Sequence, residues 1–123
     1  MTGGTHAISI VDDDDAVRDS MHLLLEACGY AVRDYDSAAA VLNDPAARDC
    51  CCLILDLHMP GMDGLTLLEH LREDGFDAAA LLVTGRGDPR DERISRTGIL
   101  ARLQKPVADN VLLEWVERAC EAA

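Results

Sequence analysis

Residues 53–65 read LILDLHMPGMDGL: three apolar residues run into Asp56, then Pro60, Gly61 and Gly64 intervene before Leu65, Leu68 and Leu71 take up helical spacing. A short apolar run bounded by turn residues predicts a buried strand, and leucines three apart predict one face of a helix. The unit is strand, loop, helix, with a carboxylate at the carboxyl end of the strand.

The same unit recurs along the chain. Apolar runs at Ala7 to Val11, Ala31 to Tyr35, Cys51 to Leu55, Ala80 to Val83 and Leu100 to Leu103 predict five strands. Val17, Met21, Leu24, Leu25 and Cys28 predict the first helix, and Leu112, Trp115, Val116 and Ala119 the fifth, with Trp115 in core packing. Ser37 is a candidate N-cap for a short second helix holding Val41 and Leu42, which Asp44-Pro45 ends. The third helix runs from Gly64 to Arg72. The fourth, Pro89 to Thr97, is mostly charged and offers Ile94 as its only large apolar residue, so it is expected to be short, mobile or poorly packed. Pro60, Gly61 and Gly64 are read as scaffold residues, proline fixing φ and glycine permitting positive values.

Strand and helix alternating five times predict an α/β fold, a doubly wound parallel sheet with helices on both faces. The strand order does not follow from the pattern. At 123 residues the chain is the size of one domain, with no linker or repeat, and the expectation is a single domain over residues 1–123 with no output domain.

A net charge of −12 argues against direct nucleic-acid binding, which draws on clustered Lys and Arg. No apolar run approaches the ~20 residues of a membrane span, and the opening MTGGTHAISIV has no signal-peptide character. A cytoplasmic protein is expected, and with it reduced thiols, because five cysteines with Cys50, Cys51 and Cys52 in a row form neither a spaced disulfide framework nor a zinc motif.

In open parallel sheets ligands bind beyond the carboxyl ends of the strands. There the sequence offers Asp12 to Asp15 after strand one, Asp56 after strand three, Thr84 after strand four, and Lys105 with Pro106 near the end of strand five. Carboxylates brought close together repel unless a cation sits among them, and Mg²⁺, which favours oxygen ligands, is the natural one. Asp14 and Asp15 read instead as helix N-terminal acids, favoured by capping and the helix dipole.

The stretches IVDDDDAVRDS (10–20), LILDLHMPGMDGL (53–65), LLVTGRGD (81–88) and LQKP (103–106) resemble the successive signatures of response-regulator receiver domains, from Ile8 to about Ala119, and most closely the receivers of FixJ/NarL-type regulators. The resemblance implies a CheY-like (flavodoxin-like) five-stranded sheet in order 2-1-3-4-5. It implies Asp56 as phosphoacceptor, Mg²⁺ (or Mn²⁺) held by Asp13, Asp56 and the backbone carbonyl of His58, with Asp12 acting through water, and Thr84 and Lys105 contacting phosphoryl oxygens. Pro106 would follow a cis peptide bond, and His58 and Arg86 would tune the lifetime of the phosphoryl group. The implied partner is a sensor histidine kinase or phosphotransfer protein, with the switch on the face of the fourth helix, fifth strand and fifth helix, and a homodimer as one consequence of phosphorylation.

Two features depart from that pattern. Arg102 occupies the switch position where the family usually has an aromatic, and the charged fourth helix, in a slightly shortened interval from Thr84 to Lys105, replaces a small-residue-rich one. Three rival functions follow. A degenerate receiver would act as a phosphorylation-independent binding module. A haloacid-dehalogenase-type phosphatase would need an acid where His58 stands. A flavodoxin-like nucleotide binder would need a Ser, Thr or Gly loop where four aspartates stand, and those would repel phosphate.

Overall fold

A computed structural model describes residues 6–85 and 92–121. Five strands, β1 (Ala7–Val11), β2 (Ala31–Tyr35), β3 (Cys52–Asp56), β4 (Ala79–Thr84) and β5 (Ile99–Gln104), form one sheet in order β2-β1-β3-β4-β5. All four pairings are parallel. The order is the one implied by the family resemblance, and β1 stands beside β3 at the centre, where the winding reverses.

The helices are α1 (Asp15–Ala27), α2 (Ala38–Leu42), α3 (Gly64–Glu73), α4 (Glu92–Arg96) and α5 (Asp109–Glu121), with a 3₁₀ turn at Pro45–Arg48. Side-chain caps set three of the starts: Asp14 accepts from the Val17 N–H, Ser37 from Ala40 and Asp63 from Thr66. The capping role read for Asp14 is what is found, and Asp15 lies in the first turn with Arg18 at 2.6 Å.

β3 is buried along its whole length and serves two cores. Leu53 and Leu55 point to one face, where Leu65, Leu67, Leu68 and Leu71 of α3 and Val41 of α2 cover them. Cys52 and Ile54 point to the other, against Met21 and Leu25 of α1 and Leu112 and Val116 of α5. Each fully buried leucine stabilises the fold by roughly 1.5–3 kcal/mol before the entropy of ordering is set against it. Trp115 packs at the edge of the α1/α5 core, half-buried, with the Arg118 guanidinium over its ring at 4.9 Å.

Three strands differ from the sequence expectation at their ends. β3 begins at Cys52 and includes Asp56, because the ladder to β4 continues through Asp56↔Val83. β4 and β5 are each longer than expected, running on to the pair Thr84↔Gln104. The described part of the fourth helix, Glu92–Arg96, has no buried residue, in keeping with the poor packing expected of it. Arg93 ties it to α3, donating to Thr66 Oγ1 at 2.8 Å and lying 3.3 Å from Asp63 and 3.8 Å from Glu69.

The cysteines overturn one expectation. Cys51 and Cys120 are joined as a disulfide, with Cα atoms 5.1 Å apart, whereas reduced thiols were expected throughout. Spacing along the chain could not show this, because the pairing depends on α5 crossing over the start of β3. Cys28, Cys50 and Cys52 are free.

Candidate functional site

β1 runs out into Asp12, β3 ends on Asp56, β4 ends on Thr84, and the turn after β5 carries Lys105. Since β1 pairs with β3 at Val11↔Leu55, the next residues, Asp12 and Asp56, stand side by side at the carboxyl edge of the sheet.

Asp12 is wholly buried. Its Oδ1 accepts the Asp14 backbone N–H at 2.8 Å, and its backbone carbonyl accepts from Arg18 Nη1 at 2.7 Å. Its Oδ2 takes no hydrogen bond of proper alignment among the described residues, although the Lys105 ammonium lies 3.0 Å away as an ion pair. Asp56 is 4% exposed; its Oδ1 accepts the His58 backbone N–H at 3.3 Å and its Oδ2 lies 3.4 Å from Lys105 Nζ.

Burial, then the charge of Asp12, raises the Asp56 pKa above the ordinary carboxylate range, and Lys105 only partly opposes them. Burial alone would lower the Lys105 pKa, but its contacts with Asp12 and Asp56 outweigh that and the net shift is upward. The lysine therefore stays an ammonium at neutral pH.

Backbone contacts fix the strand ends that carry these groups. The Lys105 N–H donates to Thr84 O at 2.8 Å, which fixes the end of β5 to the end of β4, and the Lys105-Pro106 peptide is cis. Gly64 at the start of α3 packs directly on the strand: a Cβ there would fall 2.3 Å from the Asp56 carbonyl oxygen and 2.8 Å from Leu55 Cδ1. The sequence reading gave Gly61 and Gly64 one role. Gly61 does take a positive φ of 80°, but Gly64 is needed for its missing side chain.

The donor set suits a hard dication. Carboxylate oxygens of Asp12, Asp13 and Asp56 all lie within 4.8 Å of one another, the buried Asp12 Oδ2 lacks an aligned donor, and every candidate ligand is oxygen.

The family model for the response regulator receiver domain matches residues 8–117. This chain belongs to that family. The receiver is 39% identical over 110 residues to the transcriptional regulatory protein FixJ of Azorhizobium caulinodans, covering 89% of this chain and 52% of that protein. It is 33% identical over 124 residues to the response regulator protein TodT of Pseudomonas putida, covering 100% and 55%. The receiver thus spans about half the length of the curated relatives it matches. Among solved structures, FixJ-N superposes with a TM-score of 0.84 at 34% identity over 98% of this chain and 97% of that one. Response regulator StyR gives a TM-score of 0.88 at 30% identity, over 97% and 61%.

Of the residues singled out in the sequence, the receiver fold brings Asp12, Asp13, Asp56 and Lys105 together. Thr84 is 2% exposed at the adjoining strand end, and the His58 side chain is exposed while its backbone N–H serves Asp56. Arg102 is an exposed residue of β5, opposite Leu82 in register. Arg86 lies outside the described residues. Sequence reasoning missed Arg18, whose guanidinium supports the Asp12 backbone; its only signal was a position three after Asp15 on α1. No helix among the described residues is long and apolar enough to cross a membrane.

Proposed function

We propose that this receiver accepts a phosphoryl group onto Asp56 from a phosphohistidine of a sensor histidine kinase or phosphotransfer protein, in a reaction that needs Mg²⁺ or Mn²⁺. The observation that carries this reading is the Lys105 ammonium held within 3.4 Å of both the Asp12 and the Asp56 carboxylates at the carboxyl edge of a parallel sheet. Asp56 is the nucleophile, and its burial limits water as a competing nucleophile for the phosphoryl group.

Asp13, Asp56 and the His58 carbonyl would hold the dication, with Asp12 acting through water. Bound there, it would neutralise charge on the transferring group and the carboxylates around it. Lys105 pairs with one phosphoryl oxygen and the Thr84 hydroxyl donates to another. The cis bond before Pro106 supports the lysine's aim. These contacts supply positioning and charge neutralisation, which a loose phosphoryl-transfer transition state chiefly requires. The same groups assist hydrolysis of the aspartyl phosphate, with His58 and Arg86 setting its lifetime.

Once Thr84 is drawn toward the phosphoryl group, the face formed by α4, β5 and α5 changes its balance of conformations. With Arg102 at the switch position, that readout is smaller than, or different from, the one an aromatic gives. The domain acts in the cytoplasm as a signalling module without direct nucleic-acid contact, passing its state to an output partner or to a second copy of itself.

Incubation with a small phosphodonor and Mg²⁺, followed by intact-mass spectrometry, tests the reading. One phosphoryl adduct is expected, mapping to Asp56 and absent in Asp56→Asn. No adduct on the folded wild-type chain would leave the phosphorylation-independent binding module as the better account, and one that survives Asp56→Asn would place the acceptor on another residue.

A further inference from the structure

At the opposite pole, where the strands begin, the Cys51 N–H donates to Ala7 O at 2.9 Å, holding Cys51 against the start of β1. The last turn of α5 passes over this point and brings Cys120 onto Cys51, across a sequence separation of 69 residues. We propose that Cys51 and Cys120 are a thiol–disulfide exchange site, opened and closed by a low-molecular-weight thiol and its disulfide, that fastens the end of α5 to the base of β3.

Accessibility gives the exchange a direction. Cys120 is 4% exposed, whereas Cys51 is half-buried, so an incoming thiolate reaches the Cys51 sulfur first. The S–S bond breaks, its electron pair leaves on Cys120 Sγ, and a mixed disulfide remains on Cys51. A second thiolate attacks the outer sulfur of that mixed disulfide, freeing Cys51 and releasing the oxidised small disulfide. Two electrons and two protons have then passed to the protein. His6, exposed just before β1, brings a ring nitrogen within 4.8 Å of both sulfurs, near enough to relay a proton to the departing Cys120 thiolate through one water.

The neighbouring cysteines do not compete. Burial pushes both the Cys50 and the Cys52 thiol up, so they stay protonated at neutral pH, and Cys50 packs against the opposite face of the sheet. Closing the bridge shortens the open chain by a long loop and pins a helix otherwise held by Leu112, Val116 and Ala119. In a reducing compartment, bridges of this kind serve as transient sensors. This one reports on α5 without touching the carboxylate pole.

The full chain is equilibrated across a series of reduced-to-oxidised glutathione ratios, quenched with an alkylating reagent, and mapped by mass spectrometry alongside thermal melts. Two thiols should vanish together into one Cys51–Cys120 cross-linked peptide, and the oxidised form should melt several degrees above the reduced one. Cys51→Ser and Cys120→Ser should each abolish both the cross-link and the redox-dependent shift, while His6→Ala should slow exchange severalfold without moving its midpoint. Alkylation of all five cysteines at every ratio, a cross-link between other cysteines, or identical melting of the two forms would overturn the proposal. So would uptake of one equivalent of Zn²⁺ by the reduced chain that blocks oxidation, which would make His6, Cys51 and Cys120 a metal centre.

Discussion

Lys105 and Asp12 meet at 3.0 Å, Nζ to Oδ2, and the same ammonium reaches Asp56 at 3.4 Å, so one cation serves two carboxylates that are almost wholly buried. Removing it in Lys105→Ala leaves two like charges facing each other in a site of low polarity. In chelator at neutral pH the variant should lose about 1–3 kcal/mol in urea denaturation, the usual range for breaking a partly buried pair, discounted for the lysine's own exposure. An unchanged midpoint would mean that the lysine does not balance these charges.

Ligand linkage gives a second expectation. Mg²⁺ should raise the melting temperature, with a stabilisation of about 2.7 kcal/mol at a hundredfold excess over its dissociation constant. Asp13→Asn should weaken the response because Asp13 contributes an oxygen to the cluster. Asp14→Asn, altering only the cap of α1, should leave it intact. Equal loss in both variants would point to general charge screening.

Gly64→Ala probes the contact between α3 and β3. A Cβ only 2.3 Å from a backbone oxygen cannot be absorbed by turning a side chain, so helix and strand must part. The expected cost is about 2–4 kcal/mol, at the severe end for overpacking, with a drop in the rate of Asp56 phosphorylation. Gly61→Ala should leave that rate near wild type, since open space surrounds it and only its positive φ is strained. The pair separates close approach from backbone conformation.

His22 sets a pH dependence outside the carboxylate cluster. Its Nδ1 lies 2.6 Å from Asp34 and its Nε2 3.3 Å from Glu26, while Arg18 stands 3.5 Å from the same Asp34. Burial lowers the imidazole's pKa, but the hydrogen bonds to Asp34 and Glu26 outweigh it and the net shift is upward. A base with a raised folded-state pKa binds more protons folded than unfolded. Its stabilisation is therefore complete below the unfolded pKa, near 6.5, and disappears as pH rises through the folded value. Wild type should lose on the order of 0.5–1 kcal/mol over that window relative to His22→Gln, and denaturation midpoints at closely spaced pH values would read the difference.

Arg93 joins α4 to the α3 cap residue Asp63 and to Thr66. In Arg93→Ala the amide hydrogens of residues 92–96 should exchange at least tenfold faster, because no buried side chain of α4 takes over. Unchanged protection would assign the anchoring to Ile94 instead.

Much of this was legible in the sequence because each apolar run is short and each strand's last residue is chemically distinctive. Asp12, Asp56, Thr84 and Lys105 could be aligned at one edge before any coordinates existed, since parallel strands send their carboxyl ends the same way. The one-residue shift of β3 arose because Asp56 is polar yet still in the ladder, and polarity is what pattern reading takes for a strand's end. Gly64 was misread because a glycine chosen for its missing side chain looks, in sequence, the same as one chosen for its dihedral angles. The Cys51–Cys120 contact was invisible, since it depends on where a helix at the far end of the chain crosses the sheet.

The sheet also divides the interior. Alternate residues of β3 feed two apolar cores that have no buried side chain in common. The domain is built like two rooms sharing one wall, with Asp56 set in the end of that wall. A refitting of Met21, Leu25, Leu112 or Val116 is settled among neighbours on its own side, and the leucines of α3 need not respond. Lineages can thus remodel the α1/α5 exterior to suit new associates while the masonry around Asp56 keeps its shape.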